Sequence, residues 1–136
     1  MLIANVTCVA IGGRGLLIEG PPGSGKSALA LALIDRGATL VGDDGVRIEF
    51  EGARVWAHPP PNIAGKLEIR GVGLVELCCT SAPLALSLLI DPSAPRMPEP
   101  GRRTIGTAAI PSLTFRAGDP VQALRAEAAL SRFGSG

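Results

Sequence analysis

The feature that most constrains this chain is the run Gly20-Pro21-Pro22-Gly23-Ser24-Gly25-Lys26-Ser27, which fits the phosphate-loop pattern G-x-x-x-x-G-K-[ST]. Its flanks are those the pattern needs. Gly15 to Glu19 is short and apolar, as a strand would be, and Ser27 to Arg36 is rich in Ala and Leu, as a helix stopped by Gly37 would be. Glycines let the backbone curl so that successive N–H groups converge on one anion. The helix N-terminus adds partial positive charge. Gly20 through Ser27 are therefore the expected phosphate-binding set, with Lys26 reaching the β- and γ-phosphates and the Ser27 hydroxyl ligating Mg²⁺.

Upstream, Leu2 to Ile11 reads as one β-strand and Gly12 to Gly15 as a turn, so the strand that delivers the loop is the second of a hairpin. This is not how a Rossmann-like P-loop fold begins, because there the loop follows a first strand parallel to its neighbours. After the helix, Ala38 to Val41 is a strand ending in Gly42-Asp43-Asp44-Gly45. Adjacent carboxylates on a strand point to opposite faces, which suits two roles: one holding Mg²⁺, one accepting a proton from an attacking hydroxyl. Gly-Asp-Asp-Gly is also good turn chemistry; an apolar strand aimed at a phosphate loop favours the functional reading.

Val46 to Phe50 and Arg54 to Ala57 read as strands around a turn, and His58-Pro59-Pro60-Pro61-Asn62 as a surface loop or lid. The lone histidine, His58, suits a loop or capping role better than catalysis. Gly65 to Leu77 is the second dense stretch. Glu68 and Arg70 share a face if the segment is extended, which fits a cross-strand ion pair, while Gly65, Gly71 and Gly73 suggest a backbone passing close to a ligand or another strand. Pro83 to Asp91 is a buried strand, Pro92 to Gly101 a proline-rich loop, Arg102 to Ala117 a region holding a short strand, and Val121 to Phe133 a helix opened by Asp119-Pro120.

Composition narrows the class. One domain over residues 1–136 fits the length, and 46% hydrophobic residues support a globular core. A net charge of +1 and 3% aromatic residues give no electrostatic or stacking case for nucleic acid. No apolar run of about 18 residues is present, so no membrane span is expected. No basic segment precedes an apolar run at the N-terminus, so no signal peptide is expected either. Cys8, Cys78 and Cys79 lack a zinc spacing and read as buried free thiols of a reducing, cytoplasmic compartment.

On Cys8 to Ser27, Leu40-Val41-Gly42-Asp43-Asp44 and Leu67-Glu68-Ile69-Arg70-Gly71-Val72-Gly73, together with Arg96-Met97-Pro98-Glu99-Pro100, the chain resembles the kinase domain of the HPr kinase/phosphorylase family. It looks most like the short alphaproteobacterial form, and the likeness runs over nearly the whole chain. The resemblance implies an α/β fold, a P-loop kinase domain of the phosphoenolpyruvate carboxykinase-like type with a mixed sheet and flanking helices. It implies ATP and Mg²⁺ as cofactors and phosphorylation of a serine on HPr or its nitrogen-branch relative. It further implies Lys26 on phosphate, Ser27 and Glu68 as metal ligands, Asp44 as proton acceptor, Arg96 as catalytic arginine, and a hexameric homo-oligomer. Departures are specific. Asn5 stands where the family has a catalytic histidine, Gly42 where Ala is usual, and Pro111 to Gly118 where the family has a Pro-Gly-Arg-Asn run tied to the phosphorylase reaction. A kinase with weak or absent phosphorylase activity is expected. The competing readings are a nucleotide-binding regulatory module that has lost catalysis, favoured by Asn5, and a small-molecule kinase.

Overall fold

A computed structural model describes residues 1–62 and 64–136. Its nucleus is the hairpin of β2 (Thr7–Ile11) and β3 (Arg14–Glu19), paired antiparallel from Thr7 opposite Ile18 to Ile11 opposite Arg14. Gly12 and Gly13 both take positive φ, 57° and 82°, as a two-residue turn matched to strand twist requires. The chain then enters the phosphate loop and α1 (Lys26–Asp35). Arg36 and Gly37 donate back to Leu33 and Ile34, and Gly37, at φ 111°, ends the helix. β4 (Thr39–Gly42) returns antiparallel beside β2, which brings residue 43 to the mouth of the loop.

The first strand expected from sequence is in fact two. β1 (Leu2–Ala4) pairs with β5 (Gly45–Glu51), whereas β2 pairs with β3 and β4. The break falls at Asn5, whose φ of 62° is left-handed, a conformation Asn tolerates better than most residues. β5 and β6 (Arg54–His58) form the expected hairpin. β7 (Lys66–Ile69) and β8 (Gly73–Glu76) form a separate two-stranded sheet. β9 (Ala82–Ile90) is the centre of the main sheet. It meets β6 antiparallel through Ala82 and Pro83, then runs parallel between β3 and β11 (Ala108–Phe115). β10 (Gly101–Ile105) hairpins onto β11, so the region read as holding one short strand holds two, and α2 (Gln122–Phe133) closes the chain. The result is a mixed α/β fold with a curled mixed sheet and two helices.

Both faces of the β2–β3 hairpin are buried, and alternation divides them. Val9, Leu16 and Ile18 join Leu29 and Leu33 of α1, Leu86 and Leu88 of β9, and Leu130 of α2. Cys8, Leu17, Val41, Val46, Ala57 and Ile110 build a second cluster on the opposite face. Leu16 and Leu86 are fully buried, so truncating either to Ala costs about 2–5 kcal/mol. This core fixes the end of β3, and with it the base of the loop. Cys8 is buried as expected, but Cys78 and Cys79 are exposed, because they lie in the link between β8 and β9 rather than in a strand.

Candidate active site

The loop is shaped by its glycines. Gly23 and Gly25 take φ 78° and 102°, and a Cβ on Gly20 would come within 2.6 Å of Ser24 Oγ. The Ser24 amide donates to Pro21 O at 3.1 Å, and Leu29 makes the first helical bond, to Gly25 O. Among the described residues, the amides of Gly23, Gly25, Lys26 and Ser27 have no acceptor, and the buried Ser24 Oγ has no partner. Lys26 Nζ donates to Gly20 O at 2.7 Å and Pro21 O at 3.3 Å, so its ammonium is held over the loop mouth. Free amides, a lysine and a helix N-terminus in one concavity suit the terminal phosphates of a nucleotide.

Asp43 sits under this concavity and is nearly buried. Its Oδ1 accepts from Ser27 Oγ at 2.8 Å and from Thr7 Oγ1 at 2.9 Å, and its Oδ2 accepts from the Glu68 amide at 3.2 Å. One residue later the environment changes. Asp44 is exposed and left-handed, at φ 63°, and its carbonyl accepts from the Asn5 amide at 3.1 Å. The two left-handed non-glycine residues of the chain's described part are thus bonded to each other. Asp44 also borders a groove of about 310 Å³ whose walls include Leu2, Ile3, Pro60 and Asn62. Gly42 to Gly45 is a turn, as its composition allows, and the turn is what separates the two carboxylates.

Glu68 is placed beside the cluster by its backbone, with an exposed side chain on β7. Arg70 lies just beyond β7, and no ion pair joins it to Glu68 among the described residues; of the three glycines only Gly65 is closely approached, a Cβ there coming within 2.6 Å of Leu77 O, whereas Gly71 and Gly73 have open space and serve the turn between β7 and β8 at φ 80° and 123°. Arg96 is exposed in the loop after β9 and lines a second groove with β11 and α2. No hydrogen bond or ion pair links it to the phosphate loop among the described residues. His58 shares hydrogen bonds with Ser81 Oγ at 2.6 Å and Glu49 Oε1 at 3.3 Å, a loop-anchoring role.

Two contributors escape sequence reading. Thr7 is fully buried on β2 and orients Asp43; nothing separates it from any other strand threonine until β4 is paired. Glu19, the residue before the loop, accepts from Ser87 Oγ at 2.7 Å and Arg103 Nε at 2.8 Å, tying the base of the loop to β9 and β10. That bond raises the Arg103 pKa, burial opposing it. Elsewhere, burial pushes the Cys8 thiol well above its ordinary value.

The oxygen donors here suit a hard divalent cation. No group of three His, Cys, Asp or Glu side chains that could hold a metal occurs among the described residues.

A family model described as HPr Serine kinase C-terminal domain matches residues 3–80, more than half of the chain. The HPr kinase/phosphorylase of Bordetella petrii is 46% identical over 66 residues, covering 48% of this chain and 21% of that protein. The HPr kinase/phosphorylase of Mycoplasmopsis pulmonis is 37% identical over 71 residues, covering 52% of this chain and 23% of its own length. The chain therefore spans less than a quarter of the curated relatives it matches. The solved structure of the Hpr(Ser) kinase/phosphatase from Coxiella burnetii superposes with a TM-score of 0.84 at 24% identity, over 96% of this chain and 89% of that one, a likeness of fold. The matched segment contains the loop, both aspartates and Glu68, and on that match the chain belongs to the HPr serine kinase C-terminal domain family.

Proposed function

We propose that residues 1–136 act as one cytoplasmic catalytic domain, an ATP-dependent protein-serine kinase whose acceptor is an HPr-like phosphocarrier protein, with weak or no phosphorylase activity. The observation that carries this reading is the Asp43 carboxylate joined to Ser27 at the loop, with the exposed Asp44 one residue away. The loop amides and Lys26 grip the terminal phosphates. Ser27 and Glu68 hold Mg²⁺, and Asp43 orients the Ser27 hydroxyl from beneath. When bound, the ion neutralises charge across the phosphate oxygens. Asp44, open to the groove at Leu2 and Pro60, orients the acceptor hydroxyl and takes its proton. Arg96 supplies positive charge to the group in flight, which requires its loop to approach. Phosphoryl transfer depends mainly on such positioning and electrostatics, and an arginine of this kind is worth about 10³–10⁵ in rate. As in the family, the working form is a homo-oligomer, a hexamer.

Asn5 favours the second reading, a nucleotide-binding module without transfer. It meets Asp44 where the family has its histidine, and Asn cannot carry a proton near neutral pH. Transfer by the wild-type chain separates the two, and Asp44→Asn, which the left-handed backbone tolerates, then tests the role of that carboxylate. Transfer should fall about 10²–10⁴-fold with nucleotide affinity within about twofold. Unchanged transfer would remove Asp44 from the chemistry.

A further inference from the structure

Arg96 lies on an arc of chain whose two stems are tied to the base of the phosphate loop. The near stem is the end of β9. Leu89 pairs with Glu19, and a Cβ on Gly20 would meet Ile90 Cβ at 3.2 Å. Beyond β9 the Asp91 amide donates to Phe115 O at 2.9 Å, the Ser93 amide to Asp91 Oδ1 at 2.8 Å, and Arg116 Nε to Ala94 O, with Ala94 buried. The far stem is β10, which pairs with β11 alone. Its tie to the phosphate loop is a side chain. Arg103 Nε donates to Glu19 Oε1 at 2.8 Å, the oxygen that also accepts from Ser87 Oγ at 2.7 Å, and both members of this ion pair are partly buried. Glu19 is followed by Gly20, whose carbonyl holds Lys26 Nζ at 2.7 Å. The loop lysine and both stems of the arc therefore converge on residues 19 and 20.

Between the stems little holds the chain. Among the described residues, Pro95 to Pro100 make no backbone hydrogen bond and no ion pair, and all but Pro98 are exposed. Arg96 rests in a groove it shares with Arg116, Arg125 and Arg132, and no carboxylate lines that groove. Its neighbours there carry its own sign of charge, so the groove does not retain it, whereas a phosphate on the loop would attract it. A segment of this length reaches about 10 Å out from fixed stems and back. Where Arg96 can go is thus set by where the stems stand.

We propose that Arg103 is a positioning residue for phosphoryl transfer: its bond to Glu19 holds the far stem at the base of the phosphate loop, so that Arg96 can meet the group in flight. The proposal rests on the kinase reading above. The test is steady-state transfer from labelled ATP, with Mg²⁺, to an HPr-like phosphocarrier, in wild type, Arg96→Ala, Arg103→Ala and the double variant, beside calorimetric titration of each with ADP. Arg103→Ala should lower kcat about 10- to 100-fold, the cost of misplacing a group at the transition state, with the KM for ATP and the ADP Kd within about twofold. In the Arg96→Ala background it should cost nothing further. A single N–H of Arg103 reaches Glu19, so an ammonium can replace it, and Arg103→Lys should restore kcat to within about fivefold. Should Arg103→Ala not fold, Glu19→Gln weakens the same bond from the other side and should lower kcat in the same non-additive way. Wild-type kcat in Arg103→Ala overturns the proposal, as do additive losses, or an ADP Kd that rises in step with the loss of kcat. Those failures leave the kinase reading standing. No transfer by the wild-type chain overturns that reading and this proposal together.

Discussion

The cluster under the phosphate loop and the arginine groove beside α2 handle charge in opposite ways. Asp43 is nearly buried and receives three hydrogen bonds, so its position is set before any ligand arrives. In the groove, Arg96 and Arg132 are exposed and unpaired among the described residues, and four positive groups face one space with no lining carboxylate. The first arrangement stabilises the fold whether or not a ligand is present. The second gains little until something flat or anionic enters. Preorganisation therefore sits at the phosphate loop, and the arginine groove lacks it.

The comparison can be broken most sharply at Asp43. Asp43→Ala leaves Thr7 Oγ1, Ser27 Oγ and the Glu68 amide without their acceptor, and urea unfolding should show a loss of about 3 kcal/mol. A loss below about 0.5 kcal/mol would mean that the cluster is not part of the stable fold. Lys26→Ala comes next. Removing a charge-assisted bond to phosphate should raise the pyrophosphate Kd about 10- to 100-fold with little change in stability.

A smaller effect separates the buried hairpin from the solvent-facing link that follows β8. In the folded chain Cys8 keeps its proton, whereas the unfolded chain releases it above about pH 9.0. The unfolded state then binds fewer protons, so stability falls as pH rises from there, by about 1.4 kcal/mol per unit. Urea unfolding of the wild type and Cys8→Ala at successive pH values should show that slope only in the wild type. Native alkylation should reach Cys78 and Cys79 and spare Cys8. The smallest effect is expected in the groove, where Arg132→Ala should change stability by less than about 0.5 kcal/mol, because the exposed charge has no ion pair to lose.

Much of the loop side was legible in the sequence because its signals are local. The glycine spacing, the Lys26-Ser27 pair and the apolar flanks carry the phosphate loop, and the turn at Gly12-Gly13 carries the hairpin. The environments of Asp43 and Asp44 were not legible. They depend on a left-handed turn and on which strand β4 joins, so Thr7 gave no signal until that pairing was known. The split at Asn5 was hidden for a similar reason: alternation continues across a residue that simply reverses its φ. The groove lay beyond sequence altogether, since Arg96, Arg116 and Arg132 come from a loop, a strand end and a helix that meet only in the fold.

The most direct test of the kinase reading is transfer of label from γ-labelled ATP, with Mg²⁺, to purified HPr-like phosphocarrier proteins of the same organism. The account predicts acid-stable serine phosphate on one of them, lost with Lys26→Ala. Tight ATP binding with no label on any phosphocarrier would contradict it and leave the nucleotide-binding module in its place.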